Sequence, residues 1–191
     1  LLADLTSTST GTVIATLDDN LGAGAVNTTI TNNAGSGSLT VNTGDFTTGD
    51  TITLAGSREI TVVGTDSVNV TTGSASATIS ETTGKTVTVN ASSMTDTNLL
   101  TISGAGDFTV TGLVADLSST AAGGAVNVTT GDVATQTLAL GSGITGTRTV
   151  NATAMTDGDA LTLTGAGSLT LSTDDADVLA SAYTGSITAT V

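Results

Sequence analysis

Hydrophobic and polar positions alternate along this chain in short runs. Val126 and Val128 alternate with Asn127 and Thr129, and Leu161 and Leu163 alternate with Thr162 and Thr164. A period of two sends successive side chains to opposite faces, so each run predicts a strand with one buried face. Between residues 113 and 172 five such strands are expected: Ala125–Thr130, Gln136–Leu140, Arg148–Ala152, Ala160–Thr164 and Ser168–Ser172. Gly, Asp, Asn and Ser fill the gaps, as in Gly131-Asp132, Gly158-Asp159 and Gly165-Ala166-Gly167, and these are turn residues. No window carries a helical period, so the chain reads as all-β.

The runs belong to a repeat. Val89-Asn90-Ala91-Ser92-Ser93-Met94-Thr95-Asp96 recurs 61 residues later as Val150-Asn151-Ala152-Thr153-Ala154-Met155-Thr156-Asp157, and the match continues without a gap to Val110 and Leu171. A fainter copy is read at Val41-Asn42, Phe46, Asp50, Ile52-Thr53-Leu54 and Ile60. A second marker appears as Ala3-Asp4-Leu5, Ala115-Asp116-Leu117 and Ala176-Asp177-Val178. These give three expected units, residues 1–65, 66–112 and 113–172, and the start of a fourth over 173–191. The chain opens on Leu1 with neither Met nor a cationic leader, which reads as a processed product or a slice of a longer array.

Core size decides between architectures. A β-sandwich fills a core about 10 Å thick, usually with large side chains. This chain has three aromatics, Phe46, Phe108 and Tyr183, beside many Val, Leu and Ala. Small aliphatics suit a thin core in which each rung repeats the one below, so a parallel β-solenoid is expected. Tandem small β-sandwich domains are the alternative, and five strands per unit, which do not divide into whole coils, count in their favour. In a solenoid the alignment predicts three columns: Phe46, Met94 and Met155, buried; Ile60, Phe108 and Leu169, buried; and Asn42, Asn90 and Asn151 at a turn where the amide bonds backbone.

Composition narrows the chemistry. The 191 residues include no His, Cys, Pro or Trp. Imidazole bases, thiolates, the usual zinc ligands and disulfides are therefore excluded. Acids number 17 and bases 3, for a net charge of −14, so the chain cannot neutralise a phosphate backbone and nucleic-acid binding is not expected. No apolar run reaches the roughly 18 residues of a membrane-spanning helix, and membrane insertion is not expected. Arg58, Lys85 and Arg148 stand isolated; without bases or aromatics to grip a substrate, paired carboxylates do not make a glycosidase site. No enzyme is expected.

Only the carboxylates remain as candidate ligands. Asp96, Asp157 and Asp159 occupy the turn after the methionines, with Asn98 and Asp50 at the aligned sites. Asp174, Asp175 and Asp177 form another group, and Asp18, Asp19 and Asn20 a third. Calcium takes six to eight oxygens, which Asp-rich turns supply at short spacing, and bound cations would relieve the self-repulsion of so acidic a chain. The plainer reading is that Asp and Asn are good turn residues. Asn-x-Ser/Thr triplets at Asn27, Asn69, Asn90, Asn127 and Asn151 match glycosylation acceptors, but in so Asn- and Thr-rich a chain they arise by chance. Thr-x-Thr triplets recur, among them Thr51-Ile52-Thr53, Thr109-Val110-Thr111 and Thr162-Leu163-Thr164. Stacked on one face these would resemble an ice-binding surface; the plainer reading is the outward half of any Thr-rich strand.

The Val-Asn-Ala-[Ser/Thr]-x-Met-Thr-Asp run, the Leu-Thr-[Ile/Leu]-x-Gly-Ala-Gly run and the Ala-Asp-Leu marker resemble the Thr/Gly/Asp-rich repeats of large bacterial surface proteins, namely S-layer proteins and repeat adhesins. The resemblance covers the whole chain. It implies an extracellular, cell-surface location, dependence on calcium, and copies of itself as partners in a lattice or filament. A stalk or binding module of a secreted adhesin is the alternative it carries. The Gly-Gly-x-Gly-x-Asp calcium nonapeptide of some such proteins is absent.

Overall fold

The computed structural model describes residues 4–17, 25–33, 36–44, 46, 49–64, 68–81, 84–120 and 123–191. Among them nineteen strands follow in order. The first seven are β1 (Leu5–Ser7), β2 (Val13–Thr16), β3 (Asn27–Asn32), β4 (Leu39–Asn42), β5 (Thr51–Gly56), β6 (Ile60–Gly64) and β7 (Val68–Thr71). There follow β8 (Ala77–Glu81), β9 (Thr86–Asn90), β10 (Leu99–Gly104), β11 (Asp107–Leu113), β12 (Asp116–Ser119) and β13 (Val126–Thr130). The last are β14 (Thr135–Leu140), β15 (Arg148–Asn151), β16 (Ala160–Ala166), β17 (Leu169–Ser172), β18 (Asp177–Thr184) and β19 (Ile187–Thr190).

Odd strands form one ten-stranded sheet and even strands a second of nine, each in sequence order. Every pairing is parallel. The chain thus runs along one sheet, turns, runs along the other and turns back, one coil on the next. This is a two-sheet β-solenoid, and the sandwich alternative falls because each strand pairs with the strand two places along.

Inward side chains stack in register. Ile52, Val70, Val89, Val110, Val128, Val150 and Leu171 are successive partners, each no more than 2% exposed. In the second sheet Leu39, Ile60, Ala77, Leu100, Leu117, Leu138 and Leu163 do the same. A buried strand position is filled by whatever aliphatic fits its neighbours above and below, so β-branched and Leu residues suffice without aromatics.

Val89, Val110, Val128 and Val150 are 21, 18 and 22 residues apart. Three coils therefore make up the 61-residue repeat, a rise of about 14 Å at the usual strand spacing. Each repeat holds six strands, where five were expected between residues 113 and 172. The sixth is β12, whose inward positions are Leu117 and Ser119; one apolar residue is too little to show a period.

The expected columns divide. Asn42 lies on β4 and Ile60 on β6, in the second sheet, and Phe46 follows β4. Asn90, Phe108, Asn151 and Leu169 lie on β9, β11, β15 and β17 of the first sheet, and Met94 and Met155 follow two of these strands. Phe46, Met94 and Met155 are all buried, but Phe46 fills the opposite edge of the solenoid. The two methionine loops are true copies. Met94 and Met155 donate their N–H to Ala91 and Ala152 (3.2 and 3.1 Å), and Asn98 and Asp159 donate theirs to Thr95 and Thr156 (both 3.0 Å). Asn90 and Asn151 do bond backbone, each accepting the N–H and the hydroxyl of the residue two places on; this closes a local turn rather than a ladder between coils.

Gly104 and Gly165, one repeat apart, lie at or one residue before the ends of β10 and β16, at φ +107° and +121°. A Cβ at either would collide with a carbonyl oxygen of the preceding coil, that of Glu81 or Leu140. Gly165→Ala should therefore cost about 2 kcal/mol or more. Gly158→Ala, at φ +89° with nothing within 4 Å, should cost about 1 kcal/mol. Urea midpoints compare the two, and equal midpoints would refute the collision. Met155→Asp, which puts a carboxylate at a site 1% exposed, should cost about 3 kcal/mol or more. Limited proteolysis reads this as local cleavage, and wild-type resistance would show that the side chain reaches solvent.

Candidate functional site

The acidic residues gather on edges. From residue 91 onward, Asp96, Asp132, Asp157, Asp159, Asp174 and Asp175 lie in connections from the first sheet to the second, and Asp116 and Asp177 open the strands that follow. No Lys or Arg shares this stretch of edge. The stacking is direct at one point: the Asp177 N–H donates to the Asp159 carbonyl of the coil before it at 2.8 Å.

The structure separates the candidate ligands by role. Asn98 and Asp159 hold equivalent places in the two methionine loops. Asn98 donates to the Ser74 carbonyl at 2.6 Å and accepts from the Ser76 hydroxyl at 3.2 Å, tying its loop to the preceding coil. Asp159 accepts the N–H and hydroxyl of Thr156 at 2.7 and 3.1 Å, closing its own turn. Asp96 and Asp157 are exposed in the same loops, Asp174 and Asp175 are exposed in the connection that follows β17, and Asp177 is exposed at the start of β18. Asp50 is fully buried on the opposite edge, where its carboxylate accepts the Val26 N–H at 2.7 Å. Asp18, Asp19 and Asn20 lie outside the described residues. Among the described residues no three acids cluster so as to hold a metal ion.

Several aspartates instead extend the backbone ladder between coils. Asp4 accepts the Thr29 N–H at 2.8 Å, Asp107 that of Ala125 at 2.6 Å and Asp116 that of Thr137 at 2.7 Å. A carboxylate is a strong acceptor for an N–H at a strand end, which explains why Asp rather than Glu dominates: the reach is one methylene.

Arg148 and Glu81 lie buried at inward strand positions, so with Asp50 three ionic side chains are buried among the described residues. Arg148 is 6% exposed and takes the place in its inward column filled by Phe108, Val126 and Leu169 in other coils. Its guanidinium donates to the Ile144 carbonyl at 2.6 Å, and Gly167 leaves room for it. Glu81 is fully buried at the equivalent corner one repeat earlier, against Gly106. The two corners are three coils, about 14 Å, apart, so this acid and this base are too far apart to form an ion pair. The depression bordered by Leu54, Gly56, Arg58, Ile60, Gly73 and Ala77 encloses about 10 Å³, room for at most one water.

The outer face of the first sheet is of another kind. One column runs Asn27, Thr51, Asn69, Thr88, Thr109 in direct register, then Asn127, Thr149, Thr170, Thr188. Beside it runs Thr29, Thr53, Thr71, Asn90, Thr111, and beyond an irregularity at Gly112 come Thr129, Asn151, Ser172 and Thr190. All eighteen positions are Thr, Asn or Ser, and none is charged. Only part of this was expected from the Thr-x-Thr triplets, because Asn-x-Thr and Thr-x-Asn rungs complete the array. The second sheet is mixed, its outward positions including Val63, Leu99, Asp116, Ala139 and Leu179.

Comparison with protein-family models, with curated proteins and with solved structures finds no match to this chain.

Tyr183 is the chain's one tyrosine. Burial pushes its phenol above the ordinary 10.0, against the opposing pull of Arg148. The neutral form is thus favoured in the folded state. Its contribution to stability is complete below pH about 10 and is lost as pH rises through the folded value. Phenolate absorbance should titrate above the ordinary range in the native chain and return to it in urea; a native midpoint at or below 10.0 would show the ring to be solvated.

Proposed function

We propose that this chain is a structural module of an extracellular bacterial surface assembly, a lattice or filament in which copies associate with one another. The observation that carries this reading is the continuous parallel stacking of ten and nine strands. Such a solenoid has neighbour contacts only, so it grows by adding coils and makes a regular rod. β1, β2, β18 and β19 each have a strand partner on one side only among the described residues, and unpaired parallel edges are templates for another strand. β18 also leaves Val178 and Leu179 37% and 57% exposed. One copy's end coil can thus continue the register of another. Calcium enters as a counterion shared between acidic edges of adjacent copies, through Asp96, Asp157, Asp174 and Asp175, and not as an ion caged within one turn. The repeat composition supports a surface location.

Sedimentation velocity and electron microscopy of the chain, with calcium and with excess chelator, test the reading. Assemblies that lengthen with concentration are expected, with chelator dispersing them and lowering the melting temperature. Val178→Lys with Leu179→Lys should block assembly while leaving the melt nearly unchanged. Monomeric rods under both conditions would overturn self-association and favour an adhesin stalk. An unchanged melt and unchanged assembly in chelator would remove calcium.

A further inference from the structure

The outer face of the first sheet presents a two-dimensional lattice of hydroxyl and amide groups, and we propose that this face binds ice. The inference is independent of the assembly reading.

The lattice follows from the fold. Adjacent coils lie about 4.8 Å apart and alternate residues of a parallel strand about 6.6 Å apart, so nine rungs with two outward residues each form a grid. Of the eighteen positions twelve are Thr, five Asn and one Ser. Threonine is stiff at χ1, and its backbone here is paired on both sides in every rung from β3 to β17. Little freedom is left to lose when the water over it orders. Across the nine rungs the columns slip once, between Val110 and Leu113.

Charge points the same way. A chain of net charge −14 places no charged residue in these two columns; its nearest carboxylates are at their margins, Asp107 at the start of β11 and Asp4 beside Thr29. An ionised group orients water around itself and disrupts a periodic water layer; hydroxyls and amides donate and accept, as water does.

Other occupants lack a counterpart. Sugar rings are gripped by exposed aromatic platforms, yet Phe46 and Phe108 are fully buried and Tyr183 is 8% exposed. Anionic ligands need cations, and none is present in the array. Protein interfaces need large apolar or Arg anchors near their centre, and the array has none. A depression of about 420 Å³ lies at one margin, bordered by Thr145, Thr147, Arg148, Ser168, Thr170 and Thr188; the rest is a neutral, periodic, hydrogen-bonding surface, and crystalline water has that chemistry.

The test is partition of the folded chain into slowly growing ice, with recrystallisation inhibition as a second readout. Wild type should be enriched in the ice fraction and should slow recrystallisation. Thr149→Tyr with Thr170→Tyr should lose both, while Thr101→Tyr with Thr162→Tyr, on the second sheet, should keep both. Circular dichroism melts establish that each variant is folded. Should the tyrosine pair on the first sheet unfold, Thr149→Val with Thr170→Val keeps the shape, removes two hydroxyls and should weaken enrichment. Exclusion of wild type from ice would overturn the proposal, and so would equal loss from substitutions on either sheet. Binding to insoluble cellulose or chitin with exclusion from ice would assign the face to a polysaccharide. A face-dependent dimer with exclusion from ice would assign it to a second copy.

Discussion

The coil-to-coil backbone ladder governs this molecule. Each strand donates and accepts along the solenoid axis, so a residue sits directly over its partner one coil away. Once that register holds, inward side chains need only match the two rungs they touch. A column such as Val70, Val89, Val110, Val128 and Val150 then fills the core with aliphatics. The same register arranges the exterior. It lines outward threonines into columns, stacks the connections into edges and brings Asp4, Asp107 and Asp116 within reach of N–H groups in the next coil.

The solenoid was legible because two signals agreed: a period of two in every run, and a core inventory too small for a sandwich. Which sheet a strand joins was not legible. Val41-Asn42 and Val89-Asn90 read alike, yet β4 and β9 lie in different sheets, since both sheets alternate in the same way and coil length is set by turns. Through Ile52 and Val70, the partner of Val89 traces back to Thr28, a buried threonine in a column otherwise aliphatic. In the sequence Arg148 shows only as an isolated base, whereas its guanidinium packs inward opposite Gly167. Of the candidate ligands, the pairs Asp96 with Asp157 and Asn98 with Asp159 were legible from the exact repeat. Asp50 was not, because its alignment rested on the misplaced copy.

Polar character is sorted by place. Carboxylates occupy edges and strand ends, where they meet water or backbone N–H groups. Hydroxyls and amides occupy the first face. Arg148 and Glu81 sit buried at corners, where the chain passes between sheets, and there the Ile144 carbonyl accepts from the guanidinium. Burial of a charge is costly without such partners, and glycine one coil away makes room for each. The division leaves two adjacent columns of one face free of charge in a strongly acidic chain, with the exposed Asp107 beside them.

A coil of 21 residues adds about 4.8 Å to the axis while folded. Drawn out straight, the same residues span about 70 Å. Tension along the axis therefore loads one inter-coil ladder after another in series, and the shortest ladders part first. At β1 the described pairing with β3 is three residues long. Each coil that peels away lengthens the molecule more than tenfold relative to its folded rise, and it leaves the remaining coils in register. The stack is thus a store of slack that yields stepwise under load and can rewind on the coil beneath.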